Sequence, residues 1–280
     1  MNIGMENNRN NEELTNMVRE KYSEIANSVT GCGCGCSCGD TTTYSIFSDD
    51  YTKLEGYNPD ADLNLGCGIP TEFAHIKAGD TVIDLGSGAG NDCFVARSLV
   101  GETGMVIGID MTPAMVDKAN ENIKKLGFKN VQFRLGQIEK MPVTSNKADV
   151  IISNCVLNLV PDKMAAFREM SRVLKPGGHF SVSDIVLSGP LPEPILKAAE
   201  LYAGCVAGAS LKSDYLKMLE DADFTNIRVD KEKVIELSDD LLANYMNETE
   251  IAEFRAKGSK VLSINVYGEK RKSLCCCCGG

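Results

Sequence analysis

The chain has 280 residues, 43% of them hydrophobic, with 29 basic against 39 acidic residues and a formal charge of -10. This length and content imply one large domain, or one domain with an appendage, and the acidic balance is a poor electrostatic match for nucleic acid. The first thirteen residues carry no apolar signal core and no apolar run has the length to span a bilayer, so a cytoplasmic protein with no membrane partner is expected.

Leu14, Val18, Tyr22 and Ile25 recur at helical spacing and predict an amphipathic helix over about residues 11–28. A glycine-cysteine loop follows, and then a polar stretch leads to the turn-rich Leu65-Gly66-Cys67-Gly68-Ile69-Pro70. Strands are predicted near 81–85, 105–110, 131–135 and 148–153, with helical patterns between them. Thr112 and Pro113 open one helix, with Met115, Ala119, Ile123 and Leu126 on one face. Another runs from Asp162 to Leu174, stopped by Lys175-Pro176-Gly177-Gly178, and a strand follows near 179–187. Beyond Pro190, Pro192 and Pro194 the pattern is less regular. Helices are expected near 194–204, 211–221 and 238–247, and strands near 225–235 and 261–267. The alternation predicts an α/β fold with a mostly parallel, Rossmann-like sheet and right-handed crossovers.

The most informative stretch is Thr81-Val82-Ile83-Asp84-Leu85-Gly86-Ser87-Gly88-Ala89-Gly90: a buried strand, an acid, then a glycine loop opening a helix. A second apolar run, Met105 to Ile109, ends in Asp110, placed to take two ribose hydroxyls. In a nicotinamide-binding loop the third glycine would fall where Asn91 stands. An S-adenosylmethionine site fits better. That ligand has no pyrophosphate but carries an ammonium and a sulfonium, and Asp84 supplies negative charge beside the loop. Asp84, Asp110 and Asn154-Cys155 all fall at strand ends, where such sheets bind ligands.

Twelve cysteines are many for a compartment that keeps thiols reduced, which favours metal, redox or soft-element chemistry. Cys32, Cys34, Cys36 and Cys38 alternate with small residues, and Cys275 to Cys278 run consecutively. Neither cluster has the paired spacing of a structural zinc site. Cys67, Cys93, Cys155 and Cys205 stand singly. Cys93 reads as a small buried hydrophobe. Cys67 lies between two glycines, Cys155 ends a sheet strand, and Cys205 sits in a run of small residues.

With these residues in view, the chain resembles the arsenite S-adenosylmethionine methyltransferases, of the class I methyltransferase fold. The matching stretches are Leu65 to Pro70, Val82 to Phe94, Gly108 to Pro113, Phe133 to Glu139, Ile151 to Leu159 and Val173 to Gly178. Gly204 to Ala209 and Ser263 to Gly268 also match. The chain departs from some relatives at Asn64-Leu65, where they carry aromatic residues. The resemblance implies four regions: 1–64, an N-terminal helix and Cys-rich loop; 65–189, the S-adenosylmethionine domain; 190–268, an arsenic-binding region; and 269–280, a disordered Cys-rich tail. It implies that Cys67, Cys155 and Cys205 bind trivalent arsenic, with Cys38 about where a fourth ligand lies. It also implies that Asp84, Gly86, Ser87, Gly88, Gly90, Asp110, Met111, Gln137, Ile138 and Asn154 hold the cofactor. Arsenite and methylarsenite would be the substrates, glutathione or thioredoxin the reductant, and detoxification the role.

The chemistry is consistent with that set. Arsenic(III) is soft and prefers thiolates to oxygen ligands. Three thiolates form a pyramid, leaving the arsenic lone pair to attack a sulfonium methyl. Arsenic loses no proton, so no general base is required, and His75 and His179 read as structural or exposed. Two other readings remain at this point. A methyltransferase for a small organic acceptor, such as a quinone precursor, would leave Cys67, Cys155 and Cys205 unexplained. A soft-metal binding protein on this fold would leave Asp84 and Asp110 without a task.

Overall fold

A computed structural model of the chain describes residues 3–28, 49–192, 194 and 208–272. Its centre is a seven-stranded sheet in the order β3-β2-β1-β4-β5-β7-β6. The strands are β1 (Thr81–Leu85), β2 (Met105–Asp110), β3 (Val131–Leu135), β4 (Ala148–Asn154), β5 (Leu174–Leu187), β6 (Phe224–Ile235) and β7 (Val261–Lys270). The first five are parallel, and β7 runs antiparallel to both β5 and β6. The helices among the described residues are α1 (Ile3–Ser28), α2 (Pro70–Phe73), α3 (Asn91–Val100), α4 (Pro113–Leu126), α5 (Lys163–Val173), α6 (Lys212–Asp221), α7 (Asp239–Ala243) and α8 (Glu248–Lys257).

The inner strands are apolar on both sides because helices cover both faces of the sheet. Val82, Val106, Val150 and Ile152 pack with Cys93, Phe94, Ala96 and Val100 of α3. Their neighbours Ile83, Leu85, Ile107 and Ile151 pack with Ala166, Phe167 and Met170 of α5 and with Tyr215 and Leu219 of α6. Burying each of these large side chains contributes about 1.5–3 kcal/mol. A third cluster lies at the carboxyl end of β5. There Cys67 and Cys155 pack with Ile185, Leu187, Leu237, Leu242, Met246, Phe254 and Val261.

Four elements differ from the sequence expectation. α1 begins at Ile3 rather than near 11, because its polar first turns carry no apolar stripe to read. β5 begins at Leu174, and the Lys175-Pro176-Gly177-Gly178 segment is a bulge inside it rather than a break before it. Leu174 pairs with Ala148, and pairing resumes with His179 on Val150. The helix expected at 238–247 stops at Ala243, and α8 follows it. A capping box starts α8: Asn247 accepts from the Glu250 N–H at 3.0 Å, and the Glu250 carboxylate accepts from the Asn247 N–H at 2.9 Å. That Asn-x-x-Glu signal was present in the sequence, but the helix buries only Phe254 and so lacks an apolar stripe. β7 runs to Lys270, which pairs with Phe224, so Glu269 and Lys270 belong to the sheet. β6 and β7, from the region after residue 190, join the same sheet as β1 to β5. The expected helix at 194–204 beyond its first residue, the Cys32–Cys38 cluster, Cys205 and the Cys275–Cys278 run lie outside the described residues. No helix among the described residues is long and apolar enough to cross a membrane.

Candidate active site

The loop after β1 is tied to the end of β2 by its own main chain. The Gly86 and Ser87 N–H groups both donate to the Ile109 carbonyl, at 2.8 and 3.0 Å. Gly86 has φ +65°, and a Cβ there would stand 2.4 Å from the Val156 side chain. Gly88 has φ +51° with nothing among the described residues within 4 Å of where a Cβ would stand, so this part of the loop is an open floor. Gly90 instead packs against Phe94 and Phe133 and does not line the cavity. Asp110 accepts the Gly88 N–H at 2.9 Å and the Thr112 N–H at 2.8 Å. A carboxylate accepts about four hydrogen bonds, so these two orient Asp110 and leave it capacity for a ligand.

Above the loop lies an open cavity of about 1200 Å³, its mouth included. Of the residues expected at the cofactor, Asp84, Gly86, Ser87, Gly88, Asp110, Met111, Gln137, Ile138 and Asn154 all line it. Thr15, Val18 and Tyr22 of α1 form part of the wall. Six acids line the cavity: Asp49, Asp62, Asp84, Asp92, Asp110 and Glu139. No lysine, arginine or histidine does so among the described residues. Such a lining would repel a pyrophosphate and suits a ligand bearing an ammonium and a sulfonium.

Burial pushes the Asp84 carboxyl well above the usual range, and the nearby Asp92 and Asp110 add to the rise. The Cys93 thiol opposes it by donating to Asp84 Oδ2 at 3.2 Å. Burial also raises Asp92, to about 6, and raises Asp110. A cation placed among these groups would restore their ionised forms. Ser87 Oγ and Asn91 Oδ1 are buried without a hydrogen-bond partner among the described residues. The acids, the open floor at Gly88 and the orphaned Ser87 hydroxyl fit S-adenosylmethionine.

Cys67 and Cys155, 88 residues apart, meet as a disulfide with a Cα–Cα distance of 5.7 Å. Cys155 lines the cavity, while Cys67 lines a second, smaller one. Cys155 has φ +57°, a left-handed conformation that costs a non-glycine residue about 1–2 kcal/mol. Its N–H donates to the Ser183 carbonyl at 2.8 Å, which holds the turn against β5. Cys93 is fully buried in α3, as a core residue would be. Among the described residues no three His, Cys, Asp or Glu side chains are grouped to hold a metal ion. The two histidines are far from the thiols in role: His179 Nε2 lies 2.6 Å from the Ala74 carbonyl, and both rings flank Tyr267.

Sequence reasoning missed two residues here. Asp92 lies inside the recognised Asn91-Asp92-Cys93-Phe94 stretch, in the first turn of α3, but nothing local marks it as facing the cavity. Tyr51 is an isolated aromatic in a polar segment, yet it is buried and its hydroxyl lies 2.8 Å from Asp92 Oδ1.

Residues 76–223 match the family model described as "Methyltransferase domain". An arsenite methyltransferase of Halobacterium salinarum is 43% identical over 233 residues, which is 79% of this chain and 60% of that protein. CrArsM, an arsenic(III) S-adenosylmethionine methyltransferase from Chlamydomonas reinhardtii, superposes with a TM-score of 0.62 at 34% identity, over 74% of this chain and 68% of that one. The chain belongs to the arsenite methyltransferase family. It spans 40 to 60% of the length of curated members such as the human and Halobacterium proteins. The quinone C-methyltransferase UbiE of Escherichia coli is also similar, at 36% identity over 129 residues, 46% of this chain. Membership in the arsenite family fits the paired Cys67 and Cys155, for which a quinone substrate gives no reason.

Proposed function

We propose that this protein is an enzyme that methylates trivalent arsenic with S-adenosylmethionine. The observation that carries the reading is the meeting of Cys67 and Cys155 beside an acid-lined cavity with a glycine-loop floor. Asp110 would hold the ribose, and Asp84 the amino-acid end, with Gly86 to Gly88, Met111, Gln137, Ile138 and Asn154 around the rest. When bound, S-adenosylmethionine supplies an electrophilic methyl group on a sulfonium centre.

Cys67 and Cys155 bind arsenic only as thiols, so their disulfide must first take two electrons. Two thiols of a reductant supply them and leave as one disulfide; glutathione and thioredoxin are the reductants proposed. Arsenite then exchanges its hydroxyls for Cys67, Cys155 and Cys205, releasing one water per sulfur, with Cys38 as a fourth candidate ligand. The arsenic lone pair is the nucleophile, which leaves the side chains the tasks of orientation and exclusion of water. Gaining a methyl cation, whose bond to the sulfonium breaks to leave a neutral thioether, raises arsenic from the trivalent to the pentavalent state. Departure of two of its sulfurs as a disulfide, with a water oxygen taking the vacant place and releasing a proton, returns it to trivalent, and a Cys67–Cys155 disulfide is one product of that return. A chemistry that cycles through free thiols suits the reducing cytoplasm.

The test is mass analysis of products from arsenite, S-adenosylmethionine and either reductant. Methylarsenicals are expected. Tight cofactor binding with no methylarsenical product would refute the reading.

A further inference from the structure

One group of hydrogen bonds joins the cofactor cavity, which Tyr51, Asp92 and Asn154 line, to the loop that carries Cys67. The Tyr51 hydroxyl lies 2.9 Å from the Gly68 carbonyl and 2.8 Å from Asp92 Oδ1. It accepts from Asn154 Nδ2 at 2.8 Å. The same Asn154 amide reaches the Gly68 carbonyl at 2.8 Å and Asp92 Oδ2 at 3.1 Å, and its Oδ1 accepts the Cys67 N–H at 3.0 Å. Ser263 completes the hold by donating to the Cys67 carbonyl at 2.7 Å. The main chain on both sides of the Cys67 sulfur is therefore fixed by side chains from β4, β7 and the Tyr51 segment.

The protons in this group are fewer than the acceptors. Tyr51 and the Asn154 amide bring three, against four acceptor atoms: the Gly68 carbonyl, the Tyr51 oxygen and both oxygens of Asp92. Without the hydroxyl, Asn154 still serves Gly68, but Asp92 Oδ1 is left buried with one partner fewer. The tie between the Cys67 loop and the first turn of α3 then depends on Asn154 alone. Asp92 lines the donor cavity and Cys67 does not. Tyr51 thus connects the wall of the donor cavity to the loop that carries the sulfur.

We propose that Tyr51 is a positioning residue: its hydroxyl fixes the Cys67 loop against α3 and so sets the line between sulfur-bound arsenic and the transferable methyl. The proposal rests on the arsenite reading above. A misplacement of about 1 Å at a reacting centre costs on the order of 100-fold in rate, so a single hydrogen bond in this place has leverage.

Tyr51→Phe keeps the buried ring and removes only the hydroxyl. In the full-length protein, kcat with arsenite is expected to fall about tenfold or more, while the Kd for S-adenosylmethionine by calorimetry moves less than about threefold. Amide exchange of the peptide containing Cys67 should quicken, and this readout needs no turnover. Combining Tyr51→Phe with Asp92→Asn should give less than the product of the two single effects, because both act through one junction. Turnover within about twofold of the parent, or a loss confined to cofactor affinity, overturns the proposal. So does unchanged amide exchange, even if the parent protein proves inactive on arsenite. Inactivity of the parent itself refutes the arsenite reading instead.

Discussion

The donor floor and the thiol pair differ in how far along the chain their parts lie. Gly88 and Asp110, which shape the floor, are 22 residues apart and meet through a main-chain N–H. Cys67 and Cys155 are 88 residues apart and meet through side chains, in a cluster completed by Leu237, Leu242, Met246 and Phe254 from β6 to α8. The floor needs one strand, one turn and the next strand. The pair needs most of the sheet in place. A change at the floor should therefore act mainly on the cofactor, and a change at the pair mainly on the acceptor; the two regions touch where Gly86 meets Val156 and where Tyr51, Asp92 and Asn154 hold the Cys67 loop.

The largest effect is expected at the pair. Cys67→Ser or Cys155→Ser should lower methylation of inorganic arsenite by on the order of 100-fold or more, with cofactor affinity held within about threefold. A methylated arsenical needs only two sulfurs because carbon occupies one corner, so at least one of these variants should retain more of that activity. Turnover assays with both substrates check this, and full arsenite activity in either variant would remove that sulfur from the ligand set.

Asp110→Ala should weaken cofactor binding by about 2–3 kcal/mol, since hydrogen bonds to a charged group are the stronger kind. Calorimetry reads the loss directly. Arsenite binding to the reduced thiols should remain, and a parallel loss there would break the separation between the two regions. Gly86→Ala is the substitution that should affect both. Its Cβ would meet Val156, next to Cys155, in a backbone conformation that favours glycine. Overpacking of this kind costs about 1–3 kcal/mol, visible as a fall in thermal midpoint together with weaker binding of both ligands.

A further effect is expected with pH. Burial raises Asp92 to about 6 and Asp184, fully buried beside Tyr215, to about 7. Both lie above the unfolded aspartate value of about 3.9. As pH falls from about 7 towards 4 the folded chain takes up protons before the unfolded one does, so these two groups add stability to the ligand-free protein. A cationic cofactor needs the cavity acids ionised, so its affinity should fall over the upper part of that range. Thermal scans of ligand-free Asp92→Asn and parent protein should differ in slope, the variant being flatter. Cofactor titrations across pH 5 to 7.5 should run the other way, and parallel trends would show that Asp92 does not face the cofactor.

The parts legible beforehand are those in which a few consecutive residues decide the outcome. Val82 to Leu85 must be a strand buried on both faces, the glycines after it must turn, and Asp110 must end the next strand. The family resemblance brought Cys67, Cys155 and Cys205 forward together as ligands, but no spacing in the sequence stated the distance between Cys67 and Cys155. The bulge at Lys175 to Gly178 read as a stop because Pro176 and Gly177 mark turns equally well within a strand. α8 was missed because a capping box without an apolar stripe is a weak local signal.

The sequence by itself determined the strand-loop-strand order, the acid at the end of each strand and the supply of soft ligands, because periodicity and glycine conformation act over a few residues. Only the tertiary structure decided that Cys155 turns left-handed off β4 to meet Cys67, and that Tyr51 and Asp92 share a hydroxyl proton at the cavity wall. These depend on burial and on partners tens of residues away: a phenol or a carboxylate acquires its task from what is packed around it, which no local pattern encodes.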